Sequence, residues 1–524
     1  MIVVIFNKPD FEYDVHSLLK EFFPQEDVQM YYSCPPEEVS GRNLACTHHE
    51  MSGDDDFSDA DMIFKIDYVD SQITILQKFN ENLIGSGTIE QGTIEQGTIE
   101  QIGVNPDDRK DTKNRLKIAL YKMIEQWLGH GLPWGTLSGI RPTKIAMKCL
   151  EDGMNDEQTY DYLKENYLAS DEKINLSMGI AKREKALLDR LDYEKGYSLY
   201  VGIPFCPSTC AYCSFTSYPL GVWKNRVDEY LDALEKELSY VAAAFKDKTL
   251  NSVYIGGGTP TTLLPYQLDR LIKKIKGSFD LSNCLEFTVE AGRPDSITRE
   301  KLETLKANGI SRISVNPQTM KQKTLDIIGR HHTVEDTINS FKLARETGFD
   351  NINMDLIMGL PEETIDDVRK TMEIIKELAP DNVTVHSLAV KRAARLTIFK
   401  DRYQDMQMIN TQEHMDLCAG YCEEMGLEPY YLYRQKGMAG NMENVGYALP
   451  GKAGVYNILI MEEKQTIVAC GAGASTKRVW NEPNPDGTHR IDRCENVKDV
   501  ATYIDRIDEM IDRKKRLFFV KEND

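Results

Sequence analysis

Short apolar runs alternate with longer amphipathic segments between residues 197 and 400, and this alternation limits the possible folds more than any other feature. The apolar runs span residues 198–205, 252–256, 285–290, 312–316, 351–358 and 382–388. The amphipathic segments, with apolar residues at helical spacing, span residues 227–245, 265–279, 298–308, 334–347 and 365–378. Apolar strands that alternate with helices are typical of a parallel sheet covered on both faces. Six successive strand–helix units predict an α/β fold with a partial, open (β/α)6 barrel, and a doubly wound sheet is the alternative.

Three cysteines follow the first apolar run in a C-x3-C-x2-C spacing: Cys206, Cys210 and Cys213. Three thiolates can hold three irons of a four-iron, four-sulfur cluster and leave the fourth iron free. A structural cluster or a structural zinc site normally takes four protein ligands. The spacing therefore predicts an iron–sulfur centre with one open position, which indicates chemistry rather than structural support.

Polar or glycine-rich residues follow the other apolar runs as well. They are the glycine motif 256–261, Glu290 and Arg293, Asn316 and Gln318, Arg330, Asp355, and His386 with Ala389. A glycine triplet alone is usually a turn, but barrel active sites are built where the carboxyl ends of the strands meet, so this placement favours the barrel. Carboxylates suit ribose hydroxyls, and an arginine binds a carboxylate through two parallel hydrogen bonds. The set matches a ligand with a ribose and an amino-acid end.

On these motifs the chain resembles the radical S-adenosylmethionine (SAM) superfamily, and within it the oxygen-independent coproporphyrinogen III oxidase family, in its HemZ-type branch. Tyr200 with the Ile-Pro-Phe-Cys of 203–206 matches the opening segment of the family, and 256–261 matches its glycine motif. The resemblance implies that the three cysteines hold a [4Fe-4S] cluster. It also implies SAM contacts for Tyr200, Tyr212, Gly257, Gly258, Thr259, Glu290, Gln318, Arg330, Asp355 and Ala389.

The resemblance further implies a reaction. An electron donor such as flavodoxin or ferredoxin reduces the cluster, and cleavage of SAM yields a 5′-deoxyadenosyl radical. The radical takes a hydrogen from a propionate, and loss of CO2 and one electron leaves a vinyl group, twice per coproporphyrinogen III. The product is protoporphyrinogen IX, made in anaerobic haem biosynthesis. Because the substrate carries four carboxylates, we expect a local basic patch. Its candidates, each of which is otherwise a solvated surface charge, are Lys391, Arg392, Arg395 and Arg434.

Two positions depart from the oxidases of this family. Gly202 stands where they have a histidine, and Phe215 stands where they have a fourth cysteine. Phenylalanine at the second position recurs in the haem-chaperone branch, but that branch has a His-Asn pair where this chain reads Val-Tyr-Asn at 455–457. A haem-binding chaperone and an anaerobic haem-modifying SAM enzyme therefore remain alternatives.

The regions on either side of the barrel read as separate parts. We expect an N-terminal α+β domain of unknown role (1–190), the barrel (191–400), and a C-terminal α+β region that covers the substrate (401–524). In the first, strands are predicted at 2–6 and 28–33, helices at 13–23 and 114–128, and a hairpin at 63–79. A Gly-Thr-Ile-Glu-Gln repeat that starts at 87, 92 and 97 predicts an expanded hairpin tip. The loop 131–142 is a packed turn or lends Arg141 to the next domain. In the third, we expect a helix at 414–425, a hairpin at 455–468, and a final helix at 500–516.

Charge and composition limit the partners. A net charge of −20 argues against general binding of nucleic acid or an anionic membrane. No apolar stretch reaches the length of about 20 residues that spans a bilayer, and the N-terminus has no signal-peptide pattern. An odd count of 11 cysteines is not a disulfide framework. We therefore expect a cytoplasmic protein.

A second group of potential metal ligands lies in the C-terminal region. His414, Cys418 and Cys422 are four residues apart and share one face of a predicted helix. This spacing is compatible with a metal site. Cysteines on an apolar helix face are more often core residues, and we favour that interpretation.

Overall fold

The computed structural model describes residues 1–24, 26–33, 48–50, 57, 59–79, 98–139, 141–389, 391, 394–403, 405–434, 442–484 and 489–519. It divides into two compact units, Met1–Met178 and Gly179–Asp524. The expected division at 190 and 400 stays a prediction. In the described part of the chain, no helix is long and apolar enough to span a bilayer.

The first unit contains one mixed sheet and several helices. Its strands are β1 (Ile2–Phe6), β2 (Val28–Tyr32), β3 (His48–Glu50), β4 (Met62–Val69), β5 (Gln72–Phe79) and β6 (Thr98–Gly103). Its helices are α1 (Glu12–Phe22), α2 (Arg109–Leu128), α3 (Thr143–Glu151) and α4 (Asp156–Tyr167), and α5 (Asp171–Leu188) follows. The sheet order is β3-β2-β1-β4-β5-β6, parallel from β3 to β4 and antiparallel from β4 to β6.

Sequence signals explain where the elements of the first unit begin and end. Asp108 caps α2 by accepting hydrogen bonds from the N–H groups of Lys110 and Asp111, and Gly129 ends it with a φ of 72°. The strands, helices and hairpin predicted here are confirmed. The repeat at 87–97 lies outside the described residues, whereas residues 98–101 belong to β6, paired with β5.

The second unit is built on a large sheet. Its strands are β7 (Gly196–Ile203), β8 (Phe205–Cys206), β9 (Tyr218–Pro219), β10 (Thr249–Gly257), β11 (Glu286–Glu290), β12 (Arg312–Ser314), β13 (Ile352–Met358), β14 (Asn382–Ser387), β15 (Glu428–Tyr433), β16 (Asn444–Ala448), β17 (Thr466–Cys470), β18 (Ser475–Pro483) and β19 (His489–Glu495). Its helices are α6 (Leu220–Trp223), α7 (Val227–Ala244), α8 (Pro265–Ser278), α9 (Arg299–Ala307), α10 (Gln322–Ile327), α11 (Val334–Glu346), α12 (Ile365–Leu378), α13 (Arg395–Ile398), α14 (Lys400–Tyr403), α15 (Gln412–Glu424), α16 (Val455–Glu462), α17 (Val500–Asp505) and α18 (Ile507–Phe519).

The strand order of this sheet decides between the two predicted architectures. The order is β15-β16-β14-β13-β12-β11-β10-β7-β17-β18-β19, and β8 pairs with β9 separately. The six predicted strands lie side by side in chain order and run parallel. A doubly wound sheet requires a reversal of strand order at its switch point. The partial barrel is therefore confirmed, and it is open, with antiparallel strands added at both ends.

Two predictions for the C-terminal region are wrong. Residues 455–461 form helix α16 instead of a strand, because the buried Glu286 carboxylate accepts a 2.6 Å hydrogen bond from the N–H of Val455 at the helix start. Residues 465–468 belong to β17, which pairs in parallel with β7 and not with a hairpin partner at 455–461.

The final helix predicted at 500–516 is broken at Arg506, where φ is −113° and ψ is 27°. Both halves bind one buried carboxylate. Tyr503 donates to Glu237 Oε2 at 2.6 Å, and Lys514 Nζ donates to Glu237 Oε1 at 2.6 Å. In a straight helix, residues 503 and 514 would lie about 16 Å apart along the axis. The break lets both reach Glu237.

Candidate active site

A cavity of about 260 Å³ lies at the carboxyl ends of the parallel strands. Its lining includes twelve of the residues predicted from the sequence, namely Cys206, Cys210, Cys213, Tyr212, Gly257, Gly258, Thr259, Glu290, Gln318, Arg330, Asp355 and Ala389. The ends of β7, β10, β11, β13 and β14, with the loop after β12, supply these positions. Clefts where several strand ends converge are the usual location of ligand sites in barrels.

The cysteine loop after β7 presents three free thiols to this cavity. Cys206 and Cys213 are half-buried, whereas Cys210 is 8% exposed. Burial raises the pKa of Cys206 to about 11 and also raises that of Cys213. Burial opposes ionisation of Cys210 too, but the charges of Arg330 and Arg293 outweigh it and hold the pKa of Cys210 below its ordinary value.

The three thiols do not form a site for a single metal ion. Within the described ranges, no group of three or more His, Cys, Asp or Glu side chains converges closely enough for one. Ligands of a tetrahedral zinc lie roughly 3.8 Å apart, given zinc–sulfur distances of about 2.3 Å. A cluster holds its thiolates farther apart, because each binds a different iron. Three thiols around one cavity, beside two arginines, fit a cluster with one open iron.

Arg330 lines the cavity and is almost completely buried. Its side chain is 4% exposed, and Nη1 donates to the carbonyl oxygen of Asn316 at 2.5 Å. Nη2 lies 3.4 Å from the carbonyl oxygen of Gly292. Its Nε is buried, and none of the described residues accepts from it. A buried guanidinium whose residue lines the cavity fits an anionic ligand group, because its charge favours an anion.

Gln318 has an unusual backbone conformation, with a φ of 67°. Its N–H donates to the carbonyl oxygen of Asp355 at 2.9 Å, and its own carbonyl oxygen accepts from Ile357 at 2.9 Å. These two bonds fix the residue against β13. A non-glycine residue in the left-handed region is often found where a side chain must be aimed at a ligand.

Two carboxylates face the same cavity. Glu290 accepts a 2.5 Å hydrogen bond from the Tyr254 hydroxyl, and Asp355 accepts a 2.7 Å hydrogen bond from Asn353. Burial raises the pKa of Glu290 to about 7, and the charge of Asp355 adds to that effect, while the Tyr254 bond opposes it. Glu290 therefore changes its ionisation near neutral pH.

The glycine motif lies directly against the backbone of β7 and the residues that follow it. The N–H of Gly258 donates to Ile203 O at 2.7 Å, and that of Thr259 donates to Phe205 O at 2.7 Å. A Cβ atom at position 258 would lie 2.6 Å from Phe205 O, so glycine is required by the close approach. These two N–H groups are therefore engaged within the protein and are not donors for a ligand.

Tyr200 is the one residue of the predicted set that does not line the cavity. Its ring stacks on Tyr254 with centroids 6.2 Å apart and planes at 13°, and Tyr456 completes a stack of three. A Cβ at Gly257 would lie 3.3 Å from the Tyr200 hydroxyl oxygen. The structure thus places Tyr200 behind the glycine motif as a support.

Several cavity residues carried no predicted role in ligand binding. They include Tyr433, Asn444 and Phe215, whereas Arg293 and His386, which also line the cavity, belong to the strand-end set expected from the sequence. Tyr433 and Asn444 come from β15 and β16, more than forty residues after the last strand-end motif, so no local pattern links them to the site. Arg293 and His386 lie at or just after the ends of strands, and this position is the sequence signal that places them at the cavity.

The candidates for a basic patch have different surroundings in the described part of the chain. Lys391 lines the cavity, and Arg395 donates to the carbonyl oxygen of Thr209 at 3.2 Å. Arg434 is 5% exposed, and Arg392 lies outside the described residues.

Arg141 belongs to the first compact unit, and its predicted role stays a prediction. The turn at Gly471–Ala474 does not line the cavity; Gly471 packs against Gly202.

The family model of the Radical SAM superfamily matches residues 200–375. The oxygen-independent coproporphyrinogen-III oxidase-like protein HemZ of Bacillus subtilis (strain 168) is 42% identical over 409 residues, which cover 77% of this chain and 81% of that protein. Radical SAM proteins use a [4Fe-4S] cluster and SAM as cofactors.

Other relatives are similar over shorter stretches. The heme chaperone HemW of Bacillus subtilis (strain 168) is 41% identical over 198 residues, 37% of this chain and 51% of the chaperone. The oxygen-independent coproporphyrinogen III oxidase of Escherichia coli (strain K12) is 31% identical over 224 residues, 43% of this chain and 48% of the oxidase. The solved structure of coproporphyrinogen III oxidase (HemN) from Escherichia coli aligns with a TM-score of 0.49 and 24% identity, over 62% of this chain and 73% of that one.

Proposed function

This chain belongs to the family of oxygen-independent coproporphyrinogen-III oxidase-like proteins, which carry a radical SAM domain, and we propose that it is a SAM-dependent coproporphyrinogen III dehydrogenase. It would convert two propionates of coproporphyrinogen III to vinyl groups and give protoporphyrinogen IX in anaerobic haem biosynthesis. The observation that carries the proposal is that the three cysteines and all the residues implied in SAM binding except Tyr200 line a single cavity.

The protein's contribution begins with holding the cofactors. Cys206, Cys210 and Cys213 would ligate three irons, and the absence of a fourth cysteine in the loop leaves one iron for SAM. A reduced cluster and SAM together supply a carbon-centred oxidant able to take a hydrogen atom from an unactivated C–H bond. The chain's own task is to bind and orient these groups and to keep water away from the reacting carbon.

Specific side chains suit specific parts of SAM. The carbonyl oxygens of the glycine motif suit its ammonium group, and Arg330, with an unpaired buried Nε, suits its carboxylate. Glu290 and Asp355 suit the ribose hydroxyls, because ionised carboxylates accept hydrogen bonds from hydroxyl groups. In this assignment Glu290 acts only in its ionised form.

The substrate sets two further requirements. Each propionate gives up one hydrogen atom, one CO2 and one electron, so turnover needs an electron acceptor as well as the donor that reduces the cluster. We take the donor to be a flavodoxin or ferredoxin. The four carboxylates of the porphyrinogen need cationic partners, for which Lys391 on the cavity wall is the best-placed candidate.

A haem-binding chaperone is the second candidate, because two observations favour it. The HemW relatives share up to 41% identity with this chain, and Phe215 replaces the fourth cysteine of the oxidases. Against it, the segment that carries a His-Asn pair in the chaperone branch reads Val-Tyr-Asn here. Its Asn457 donates to the Tyr430 hydroxyl at 3.2 Å, and position 456 is a tyrosine instead of the histidine.

One assay separates these functions. The protein is reconstituted with iron and sulfide without oxygen, and SAM, a reductant, an electron acceptor and coproporphyrinogen III are added, while a parallel sample receives haem in place of the porphyrinogen. We expect CO2 and vinyl-bearing products in the wild type and in Cys422→Ala, and none in Cys210→Ala. Stoichiometric haem binding with no vinyl product in the wild type would exclude the dehydrogenase and support the chaperone. A modified haem formed instead would support the third alternative.

A further inference from the structure

Arg293 is buried against the cysteine loop and contacts it at three points. The side chain is 3% exposed, although it lies on the cavity wall. Nη1 lies 3.4 Å from Cys210 Sγ and 3.2 Å from the carbonyl oxygen of Ser208. Nη2 donates to the Ser208 hydroxyl at 3.1 Å. The guanidinium thus contacts both a predicted cluster ligand and the backbone that positions it.

Asp295 binds the opposite edge of the same guanidinium. Nε donates to Asp295 Oδ1 at 2.9 Å and Nη2 donates to Oδ2 at 2.6 Å, which is a bidentate ion pair. A guanidinium has five N–H donors, and these contacts engage all of them. Arg293 therefore has no donor left for SAM or substrate, so its role must be exerted through the loop.

The other two thiols of the loop have no such partner. Cys206 Sγ lies 3.5 Å from the Thr259 hydroxyl, and Cys213 is close to Ser217 and to the backbone of Phe215. Arg293 and Arg330 both act on Cys210, and Cys210 is the loop thiol that lies within hydrogen-bonding distance of the Arg293 guanidinium. Hydrogen bonds and net charge at the sulfurs set the reduction potential of an iron–sulfur cluster.

We propose that Arg293 is a positioning residue that donates a hydrogen bond to the Cys210 thiolate and raises the reduction potential of the cluster, with the Asp295 carboxylate as the opposing charge. Reduction adds one negative charge to the cluster, so a cation hydrogen-bonded to a sulfur stabilises the reduced state. The inference rests on the proposed cluster at the three cysteines and extends it to a residue outside the cysteine motif.

The test is an anaerobic redox titration of the reconstituted cluster, without SAM or substrate, followed by the EPR signal of the reduced form. In Arg293→Gln, we expect the ratio of reduced to oxidised cluster at a fixed potential to fall about tenfold, which is about 59 mV for one electron. In Asp295→Asn, we expect the ratio to rise about threefold, because the opposing charge is removed. Arg293→Lys, which keeps the charge, should fall between wild type and Arg293→Gln.

The opposite signs separate an electrostatic role from a structural one. Both Arg293→Gln and Asp295→Asn break the same ion pair, so a loop that is merely loosened would shift the potential in the same direction in both. That result, or an unchanged potential in Arg293→Gln at full iron content, overturns the inference. If Arg293→Gln takes up no iron, Asp295→Asn alone tests the inference. A ratio of reduced to oxidised cluster that rises in Asp295→Asn then supports it, and a ratio that does not rise overturns it. A Cys210→Ala protein that binds a full cluster would instead refute the proposed site itself.

Discussion

Two groups of cysteines, one at the cavity and one on helix α15, have similar spacing and opposite surroundings. Cys206, Cys210 and Cys213 line the cavity beside two arginines. Cys418 and Cys422 are 1% and 0% exposed, and the Cys418 thiol contacts Met358 Sδ at 3.5 Å. The interpretation of the second group as core is confirmed.

The difference teaches that position in the fold, and not spacing alone, decides what a cysteine does. Burial raises the pKa of Cys418 to about 12, and neither Cys418 nor Cys422 lines the cavity that the loop cysteines share. His414, in the same group, is part of the helix cap, since its Nδ1 lies 2.8 Å from the Thr411 hydroxyl. A strand end opens onto a cavity, whereas an apolar helix face is turned to the core.

The largest expected effect is on cluster binding, and it tests the contrast between the two groups of cysteines. Cys210→Ala should lose the cluster entirely, because two thiolates cannot hold three irons. Cys422→Ala, the matched control, should retain full iron and sulfide content. Iron, sulfide and the absorbance of the reconstituted proteins measure both. Equal cluster content in the two variants would contradict the assignment of the cavity cysteines.

A second prediction concerns thiol access in the cluster-free protein. The half-buried Cys206 and Cys213 should be alkylated by a maleimide at least about a hundredfold faster than Cys418 and Cys422, which react only through opening of the core. Mass spectrometry of peptides after timed quenching measures each rate. Alkylation of Cys422 as fast as Cys213 would show that the helix face is not closed.

Much of this contrast could be predicted from the sequence, because apolar runs and helical spacing are local signals. The six parallel strands, the strand-end residues and the core cysteines all follow from such patterns. Contacts between residues that are far apart in the chain could not be predicted from such local signals. Val455 begins a helix because of Glu286, 169 residues away, and Arg293 reaches Ser208, 85 residues away.

Burial also changes the ionisation of a carboxylate at the cavity, Glu290. The pKa of Glu290, raised to about 7 by burial, means that its accepting form is lost as pH falls through neutrality. We expect SAM affinity of the cluster-loaded protein to fall up to about tenfold between pH 8 and pH 6. Glu290→Gln should bind SAM more weakly and lose this pH dependence. Equilibrium dialysis across the range tests both; an unchanged pH profile in the variant would exclude Glu290 as the titrating group.

The smallest expected effect is on stability. Here the buried cysteines of α15 matter more than the cysteines at the cavity. Cys418→Ala removes a buried sulfur and should destabilise the cluster-free protein by about 1 kcal/mol. Cys213→Ala, at the cavity, should change the free energy of unfolding by less than about 0.5 kcal/mol. Urea unfolding of the second unit measures both. A larger loss in Cys213→Ala would mean that the cysteine loop supports the fold as well as the cluster.

In the proposed site, three cysteines leave one iron of the cluster open for SAM. EPR of the reduced, reconstituted cluster with and without SAM tests it most directly, because a ligand on the open iron alters the g-values of the cluster. We expect a changed spectrum on addition of SAM in the wild type and in Cys422→Ala. An identical spectrum with and without SAM, in protein with a full cluster, would contradict the claim.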